Sequence, residues 1–380
     1  MAASIFLSVS KDESLYPFNV LRNEETLHFG VRSIANQWHD LLQAKPNVVI
    51  HPRLLPTSPN VAAVMALEPG QAWKFQGQTV AQHGTGEAAE RNSPEPDLLL
   101  DAPSLFERAG EGLTEDLPRL KLAWRLRTLS EDEREAWTSA GVFVHGPMDR
   151  IHLAPGATLR DASLNTEQGD ILLGPDAEVM EGCRIRGPFA LGEGSVLRMG
   201  ALVYGATTIG SKCKVGGELS NVVMHDCSNK AHGGFLGNAV IGSWCNLGAE
   251  TTCSNLKNTY GDIAEWQHRE GRFEARGRTF CGLLMGDHSK TAIHTAFNTA
   301  SVVGAMCNVF GNVTPPQAPS VLLVGIGRRS ARTGACLGHG PKSHGPTQPI
   351  ADTGGGTGHS RCVCCKEVTS VDDLTSCRET

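Results

Sequence analysis

Apolar residues recur at every sixth position through the centre of this chain. The longest unbroken series is Leu173, Val179, Ile185, Leu191, Leu197, Val203, Ile209 and Val215. The same spacing returns at Ile241, Leu247 and Cys253, and again at Met285, Thr291, Phe297, Val303 and Val309. A period of six fits neither a helix, which repeats every 3.6 residues, nor a continuous strand, which alternates. It fits a short strand followed by a corner, repeated many times.

A glycine directly follows many of these apolar positions, where it lets the backbone bend at little steric cost. These glycines are Gly174, Gly210, Gly216, Gly242, Gly248, Gly286 and Gly304. Each group of six residues is then one side of a triangular coil whose apolar residue points inward. With strands spaced at about 4.8 Å, the repeats make about five coils and a stack of roughly 25 Å. The pattern predicts a mainly β protein with a left-handed parallel β-helix over residues 143–312.

Two interruptions break the period, and insertions in such repeats usually form loops on one face. The first runs from Leu219 to Phe235 and contains two histidines, His225 and His232. The second runs from about Asn255 to Phe280 and is rich in arginine, with Arg269, Arg272, Arg276 and Arg278. This basic segment is either an ordinary solvated loop or a clamp for a phosphorylated ligand.

The two ends of the chain differ from its centre. Residues 1–140 combine apolar strands (5–9 and 48–50) with helical patterns (32–43 and 131–137), which predicts a small α/β domain. Residues 313–380 are rich in Gly, Pro, Ser, Thr and Arg and contain no aromatic residue, which predicts a low-complexity, disordered tail. This tail is either the product of a reading-frame shift or a native segment.

The tail also contains possible metal ligands, namely His359, Cys362, Cys364, Cys365 and Cys377. Their C-x-C-C spacing is not that of a zinc ribbon, and no metal site is predicted.

Composition excludes several classes of partner. The formal net charge is −6 and the isoelectric point is about 6.2, which argues against nucleic acid and anionic membranes as partners. The first residues lack the basic start and long apolar run of a secretory signal, and no apolar run is long enough to span a membrane, so we expect a cytoplasmic protein. Seven dispersed cysteines are expected to stay reduced as small core residues. They are Cys183, Cys213, Cys227, Cys245, Cys253, Cys281 and Cys307.

One segment resembles a known family. From Lys230 the chain reads K-A-H-G-G-F-L-G-N-A-V-I-G, and then C-N-L-G-A-E-T-T-C-S-N through Asn255. This resembles the acetyltransferase domain of the bifunctional glucosamine-1-phosphate acetyltransferase and N-acetylglucosamine-1-phosphate uridylyltransferase, whose pattern is H-x-x-Y-L-G-D-A-x-I-G and N-I-G-A-G-T-x-T-C-N. Over about residues 4–312 the chain is similar to bacterial sugar nucleotidyltransferases related to that enzyme, in phrases such as I-R-G-P-F-A-L and F-C-G-L-L-M-G-D-H-S-K.

The resemblance implies site residues. It gives His232 the role of the general base that deprotonates the sugar amine, a task suited to an imidazole near neutral pH. It assigns the backbone N–H of Ala249 the role of facing the thioester oxyanion, and it aligns Asn246 and Asn255 with polar site residues. Arg198 matches an arginine that holds the sugar phosphate.

The chain also departs from the family pattern. Phe235 and Leu256 stand where the family has tyrosines, and Lys230 is the nearest substitute for a phosphate-binding lysine. The N-terminal region has no glycine before Gly30, whereas a working nucleotidyltransferase needs a glycine-rich phosphate loop there.

The implied function is that of a transferase in sugar-phosphate or nucleotide-sugar metabolism for cell-envelope or polysaccharide synthesis. Acetyl-CoA would be the cosubstrate, a sugar phosphate or nucleotide sugar the small-molecule partner, and a homotrimer the assembly. Mg²⁺ would be needed only if nucleotidyl transfer is retained. Two alternatives remain: a non-catalytic sugar-nucleotide-binding or trimerising scaffold, and a zinc hydratase. The latter needs an H-x-x-x-x-H pair, which neither His225 and His232 nor His288 and His294 provide.

Overall fold

The computed structural model describes residues 5–9 and 13–311, together with the strand backbone at 312–313, 317–318 and 323–324. Residues 143–313 form a left-handed parallel β-helix whose coils have three sides. Strands on each side pair in parallel with the same side of the next coil, as Leu197 does with Val215. The remainder of the predicted tail, including His359 and Cys362, lies outside the described residues.

The strands are short and are grouped here by side. Side 1 contains Phe143–His145, Ser163–Asn165, Arg184–Arg186, Leu202–Tyr204, the first parts of Glu218–Met224 and Phe235–Ile241, and Thr252–Cys253, Ala296–Phe297 and Asn312–Val313. Side 2 contains Ile151–Leu153, Ile171–Leu173, Phe189–Leu191, Thr207–Ile209, the last parts of the same two long strands, Leu284–Met285, Val302–Val303 and Gln317–Ala318. Side 3 contains Thr158–Leu159, Glu178–Val179, Val196–Leu197, Lys214–Val215, Asn229–Lys230, Lys290–Thr291, Asn308–Val309 and Leu323–Val324, with Asn246 bridging the gap.

The predicted six-residue positions do point into the prism. All of them are buried, and the most exposed, Thr291, has only 6% of its surface accessible. Its hydroxyl lies 2.7 Å from that of Thr251 and accepts a hydrogen bond from the Gly248 N–H, so this one polar member is satisfied inside the core. The prediction of a β-helix from the period is confirmed.

The corner between sides 2 and 3 uses a backbone conformation that most residues avoid. Lys212, Trp244, His288 and Met306 have φ between 57° and 60° in the same place on different coils. Just inside this corner runs a column in which serine and cysteine alternate. Its members are Ser195, Cys213, Ser228, Cys245, Ser289 and Cys307.

The serine hydroxyls of this column join successive coils. Ser228 Oγ donates to the Gly242 carbonyl at 2.7 Å and accepts from the Cys245 N–H at 2.9 Å. Ser195 and Ser289 make the equivalent pairs of bonds. The cysteines that the structure describes are all thiols rather than disulfides.

The first interruption is not a loop, and that prediction is wrong. Glu218–Met224 and Phe235–Ile241 pair along their length, for example through Leu219 and Leu236. Lys230 lies directly beside Val215, so this coil takes fifteen residues where a regular one takes eighteen. The corners of this coil are shorter, which shifts the six-residue phase, but the segment remains part of the β-helix and forms no projecting loop.

The second interruption does leave the prism. It forms an antiparallel hairpin of Ala264–Gln267 and Arg272–Ala275, and an isolated bridge between Leu256 and Phe280 closes its base. Arg278 pairs with carboxylates of Asp101, Glu107 and Glu265 at 2.8–2.9 Å. This arginine is therefore neither solvated nor directed at a ligand, because it fastens the hairpin to the N-terminal part.

The N-terminal part has a four-stranded sheet and several helices. The sheet order is Val48–Ile50, Gln78–His83, Gln71–Phe75 and Ala89–Arg91. Phe6 bridges in parallel to Ile50 at one edge. The helices are α1 (Ile34–Leu42), α2 (Ser58–Met65), α3 (Ser104–Glu107), α4 (Ala109–Ala123) and α5 (Arg134–Ser139). Among the described residues, no helix is both long enough and apolar enough to cross a bilayer.

The N-terminal part covers side 2 of the prism. The central residues of the side 2 strands, such as Leu172, Val223, Val240 and Val302, face outward yet are at most 3% exposed. Leu172 packs with Leu113 and Leu120 of α4, and the other three share a core with the N-terminal domain. At the start of the prism, Trp137 of α5 packs against its core. Residues 5–9 and 13–311 leave most of sides 1 and 3 uncovered.

Candidate functional site

The predicted base, His232, lies at the open corner where side 3 turns into side 1. The pairing of Val215 with Lys230 and of Asn229 with Asn246 places Gly217 before it and Ala249 after it on neighbouring coils. The side chain is exposed, and it makes no hydrogen bond to any residue that the structure describes. An accessible imidazole with both nitrogens uncommitted can take a proton from a substrate placed at this corner.

Lys230 lies inside the prism immediately before this corner. Only 1% of its surface is exposed, and its ammonium donates to the carbonyls of Gly216, His232 and Gly233 at 2.9–3.1 Å. Burial lowers the pKa of the ammonium to about 8, an effect that the nearby Glu250 carboxylate opposes. With its three donors used, Lys230 fixes the backbone that carries His232 and presents no free cation to a phosphate.

Ala249 supplies an available backbone donor on the next coil. Its carbonyl accepts from the His294 N–H at 2.8 Å. Its own N–H makes no hydrogen bond within residues 5–9 and 13–311. A backbone N–H left open beside an accessible imidazole is the arrangement needed to stabilise an oxyanion as a proton is removed.

Asn246 belongs to a row of donor side chains along side 3. The row is Lys214, Asn229, Asn246, Lys290 and Asn308, paired coil by coil. Two positions further on, the parallel row is small: Gly216, Ala231, Gly248 and Ala292. Between Lys214 and Lys290, side 3 is thus a shallow strip with a floor of small residues and one edge of amide and ammonium groups. Glu178 lies in the same row two coils before Lys214, and Phe310 follows Ala292 in the row of small residues.

Arg198 lies two coils before the level of His232. Its N–H donates to the Val215 carbonyl at 2.7 Å, and its side chain is exposed. Gly216 on the next coil leaves it room, because a Cβ there would lie 3.2 Å from the Arg198 Cβ. Two coil spacings are roughly 10 Å, a gap that a long arginine side chain can partly cross.

Phe235 and Asn255 lie round the corner on side 1. Phe235 is half-buried and its ring covers Gly237, where a side chain would collide with it. The Asn255 amide donates to Asn238 Oδ1 at 2.8 Å, and its carbonyl accepts from the Cys281 N–H. Asn255 therefore holds the base of the hairpin close to the candidate site.

The structure adds three features that sequence reasoning missed. Glu250 folds back over Gly233, where an added Cβ would lie only 2.3 Å from its carboxylate. Met199 and Ile293 lie in the same column as His232, two coils before and two after it, and are 69% and 65% exposed. The Gly233–Gly234 pair was a signal for the close approach of Glu250, while the two apolar residues could be aligned with His232 only once the short coil was known.

A second concave region lies away from this corner. A cleft of about 1420 Å³ is enclosed by the N-terminal part, the hairpin and side 2, and its walls include Leu7, His51, Tyr16 and His268. The rings of Tyr16 and His268 stack at 3.8 Å. Within the described residues, no three His, Cys, Asp or Glu side chains lie together in a way that could hold a metal ion.

The prism of six-residue repeats, with an exposed histidine and an open N–H at one corner, places the chain among left-handed β-helix proteins of the hexapeptide-repeat class. The chain is similar to the bifunctional protein GlmU of Trichormus variabilis and to that of Nostoc sp., each 27% identical over 157 residues. These matches cover 36% of this chain and 35% of each relative, so the chain spans about a third of the length of the curated relatives it matches. They confirm the resemblance that the motifs predicted.

The structure of the Arabidopsis UDP-N-acetylglucosamine acyltransferase aligns at 17% identity over 47% of this chain and 67% of that chain, with a TM-score of 0.19. A TM-score this low describes no common overall arrangement. No family model matches the chain.

Proposed function

We propose that the β-helix transfers an acetyl group from acetyl-CoA to the amine of an amino-sugar phosphate, as part of nucleotide-sugar metabolism. The observation that carries this proposal is the open corner, where the uncommitted His232 imidazole lies one coil from the uncommitted Ala249 N–H. The motifs from Lys230 to Asn255, which resemble the glucosamine-1-phosphate acetyltransferase domain, support a sugar-phosphate substrate, and the similarity to the bifunctional protein GlmU agrees with that resemblance.

The reaction needs a general base and an oxyanion donor beside the reacting amine and thioester. At this corner His232 would be the base and the Ala249 N–H the donor. The sugar amine attacks the thioester carbonyl, the C–N bond forms, and His232 takes the amine proton. The oxyanion is stabilised by the Ala249 N–H, and it collapses as the C–S bond breaks. The proton on His232 then passes to the departing thiolate of coenzyme A.

Side 3 fits the acyl donor. Coenzyme A has a narrow arm and a phosphorylated head, and the floor of Gly216, Ala231, Gly248 and Ala292 admits a narrow arm close to the backbone. The ammonium groups of Lys214 and Lys290, both exposed, favour an anionic head. Arg198 is the exposed cation best placed to hold the phosphate of the acceptor sugar.

The assembly that we propose is a homotrimer. Met199 and Ile293 are large, apolar and mostly exposed, and they flank His232 along the open corner. Covering them with a neighbouring prism would bury apolar surface and enclose the acceptor site. Sedimentation equilibrium of the full chain is expected to give three times the monomer mass, and a monomeric mass would contradict this assembly.

A second candidate is a sugar-nucleotide-binding scaffold without turnover. It is favoured by the burial of Lys230 and by Phe235, which has no hydroxyl at the place where the family has a tyrosine. Nucleotidyl transfer, for which Mg²⁺ would be required, is not part of either proposal.

The test is product detection. Purified full-length protein is incubated with acetyl-CoA and a panel of amino-sugar 1-phosphates, and products are identified by mass. We expect an acetylated sugar phosphate with the wild type and with His145→Ala, a control at another exposed histidine, but not with His232→Ala. Binding of the same compounds without any product would support the scaffold and overturn acetyl transfer.

A further inference from the structure

A small cavity lies where the N-terminal part meets the corner between sides 2 and 3. Its volume is about 360 Å³, and its walls include Arg22, His28, Asp226, Trp244 and Asp287. This volume falls within the range of cavities that hold small molecules. It opens at the far edge of side 3 from the corner that carries His232.

Trp244 is conspicuous in this cavity. Its indole is 58% exposed, although a large aromatic residue normally gains by burial. It sits at φ 60°, and its ring is parallel to that of His288 within 2°, with centroids 6.2 Å apart. One indole face is thus supported by a parallel ring while the residue remains largely open to solvent.

The imidazole of His28 is buried against this cavity, and its ring nitrogens are available for hydrogen bonds. It is 6% exposed, and within the described part of the chain its ring makes no hydrogen bond. Its Nε2 lies 3.8 Å from Asp226 Oδ2, which is too far for a direct hydrogen bond. A hydroxyl oxygen lying to one side of this gap, about 2.8 Å from each atom, accepts from Nε2–H and donates to the carboxylate.

The remaining charges disfavour an anion. The Arg22 guanidinium is matched by the Asp287 carboxylate, with Nε donating to Oδ2 at 2.8 Å. Asp287 also accepts from the Ser243 N–H. Asp226 Oδ1 accepts from the Ser211 N–H at 2.7 Å, but its charge has no cation beside it among the described residues. Burial lowers the pKa of His28, against the opposing effect of Asp226, so that ring supplies no positive charge near neutral pH. A phosphate would meet a net negative wall.

We propose that this cavity binds an uncharged sugar ring, separate from the acetyl-transfer corner. The weakly positive C–H face of a pyranose stacks on the Trp244 indole, and one of its hydroxyl groups bridges His28 and Asp226. The chemistry of the walls selects for a neutral polyol over a nucleotide or a sugar phosphate.

The test is calorimetric titration of the full chain with glucose and with N-acetylglucosamine, alongside inorganic phosphate and UMP. We expect millimolar binding of at least one sugar and none of the two anions. Trp244→Asn, which keeps a residue tolerant of positive φ, and Asp226→Asn should each weaken sugar binding at least tenfold. Met306→Ala, at an exposed position of the same corner, should leave it unchanged.

Several outcomes would overturn the proposal. These are the absence of sugar binding by the wild type, equal binding by the Trp244 and Asp226 variants, and tighter binding of phosphate or UMP than of sugar. His232→Ala separates this site from the proposed reaction, because it should bind the sugar as the wild type does. Melting temperatures of all variants establish that each is folded.

Discussion

Two histidines seven residues apart show how the covered and open parts of this prism differ. His225 lies under the N-terminal part and is fully buried, whereas His232 is exposed at the opposite edge of side 3. His225 Nδ1 donates to the Ile241 carbonyl at 3.0 Å, and Nε2 accepts from the His28 N–H at 3.2 Å. Both ring nitrogens of His225 are hydrogen-bonded within the protein. The ring nitrogens of His232 have no hydrogen-bond partner among the described residues and can bind another molecule.

The same contrast holds for the cations nearby. On the covered side, Arg278 and Arg22 are matched by carboxylates. On the open side, Arg198 and Lys214 are exposed and have no ion-pair partner among residues 5–9 and 13–311. Buried ionisable groups here hold two parts of the chain together, and exposed ones are available for binding.

The largest expected effect is on catalysis. His232→Ala should lower acetyl transfer by about 10²–10⁴-fold, the usual contribution of a general base, and leave the melting temperature almost unchanged. His225→Ala should do the reverse, because it removes two buried hydrogen bonds far from the proposed reaction. Steady-state kinetics and thermal unfolding of both variants measure this. An equal loss of stability in both variants would contradict the distinction between a structural His225 and a catalytic His232.

The next effect concerns the hairpin. Arg278→Met leaves Asp101 and Glu265 without their shared cation, and burial already raises the pKa of Glu265. Since Arg278 keeps 17% of its side chain exposed, we expect a loss of about 2–3 kcal/mol, less than for a fully buried pair. Urea unfolding measures it. Arg272→Met, whose side chain is 66% exposed, is the control and should change little.

A third prediction tests whether the open corner has a structural support of its own. Gly217 has φ +78°, and a Cβ there would lie 2.7 Å from the Gly234 carbonyl oxygen and 2.9 Å from Lys230 Nζ. Gly217→Ala should therefore cost about 2 kcal/mol. Gly271→Ala, at φ +61° with nothing within 4 Å, isolates the backbone penalty and should cost about 1 kcal/mol. Equal losses in both would remove the role assigned to Lys230.

The smallest effect is on the pH dependence of stability. Burial and the positive charge of Arg22 hold the pKa of His225 well below its ordinary value, so the folded protein keeps it neutral. The associated stability is complete above the unfolded pKa of about 6.5 and is lost as pH falls below it, by at most about 1.4 kcal/mol per pH unit. His28, whose pKa is also lowered, acts in the same direction.

Unfolding curves between pH 7.5 and pH 5 check this dependence. His225→Gln should flatten the profile, because Gln can donate and accept but does not titrate in this range. An unchanged slope in His225→Gln would show that other groups control the acid sensitivity.

The regular part of the fold was predictable because spacing alone determines it. Leu173 to Val215 keep one residue in six facing inward, and no other regular structure has this period. The sequence also indicates that side 2 is covered, since runs such as Ile171–Leu173 and Val222–Met224 are apolar on both faces. It does not indicate which part of the chain covers side 2, because that depends on tertiary contacts with α4 and the N-terminal sheet.

The site was predictable only in part. The corner position of His232 follows from its register with Ala249, whereas the burial of Lys230 depends on a coil three residues shorter than the one before it. A lysine looks the same in the sequence whether it faces solvent or three carbonyl groups. His225 left a clearer sign, since it interrupts a column that is otherwise glycine at Gly174, Gly192, Gly210, Gly242 and Gly286.

The serine–cysteine column beside the side 2 corner joins neighbouring coils through their backbones. Each of its serine hydroxyls bonds a carbonyl and an N–H of the following coil, as Ser228 does with Gly242 and Cys245. Because both partners are backbone groups, these bonds do not depend on the residue type at the next position of the column. A coil could therefore be inserted after a serine, or removed there, without the loss of this link, so the column tolerates a change in the length of the prism by a single coil.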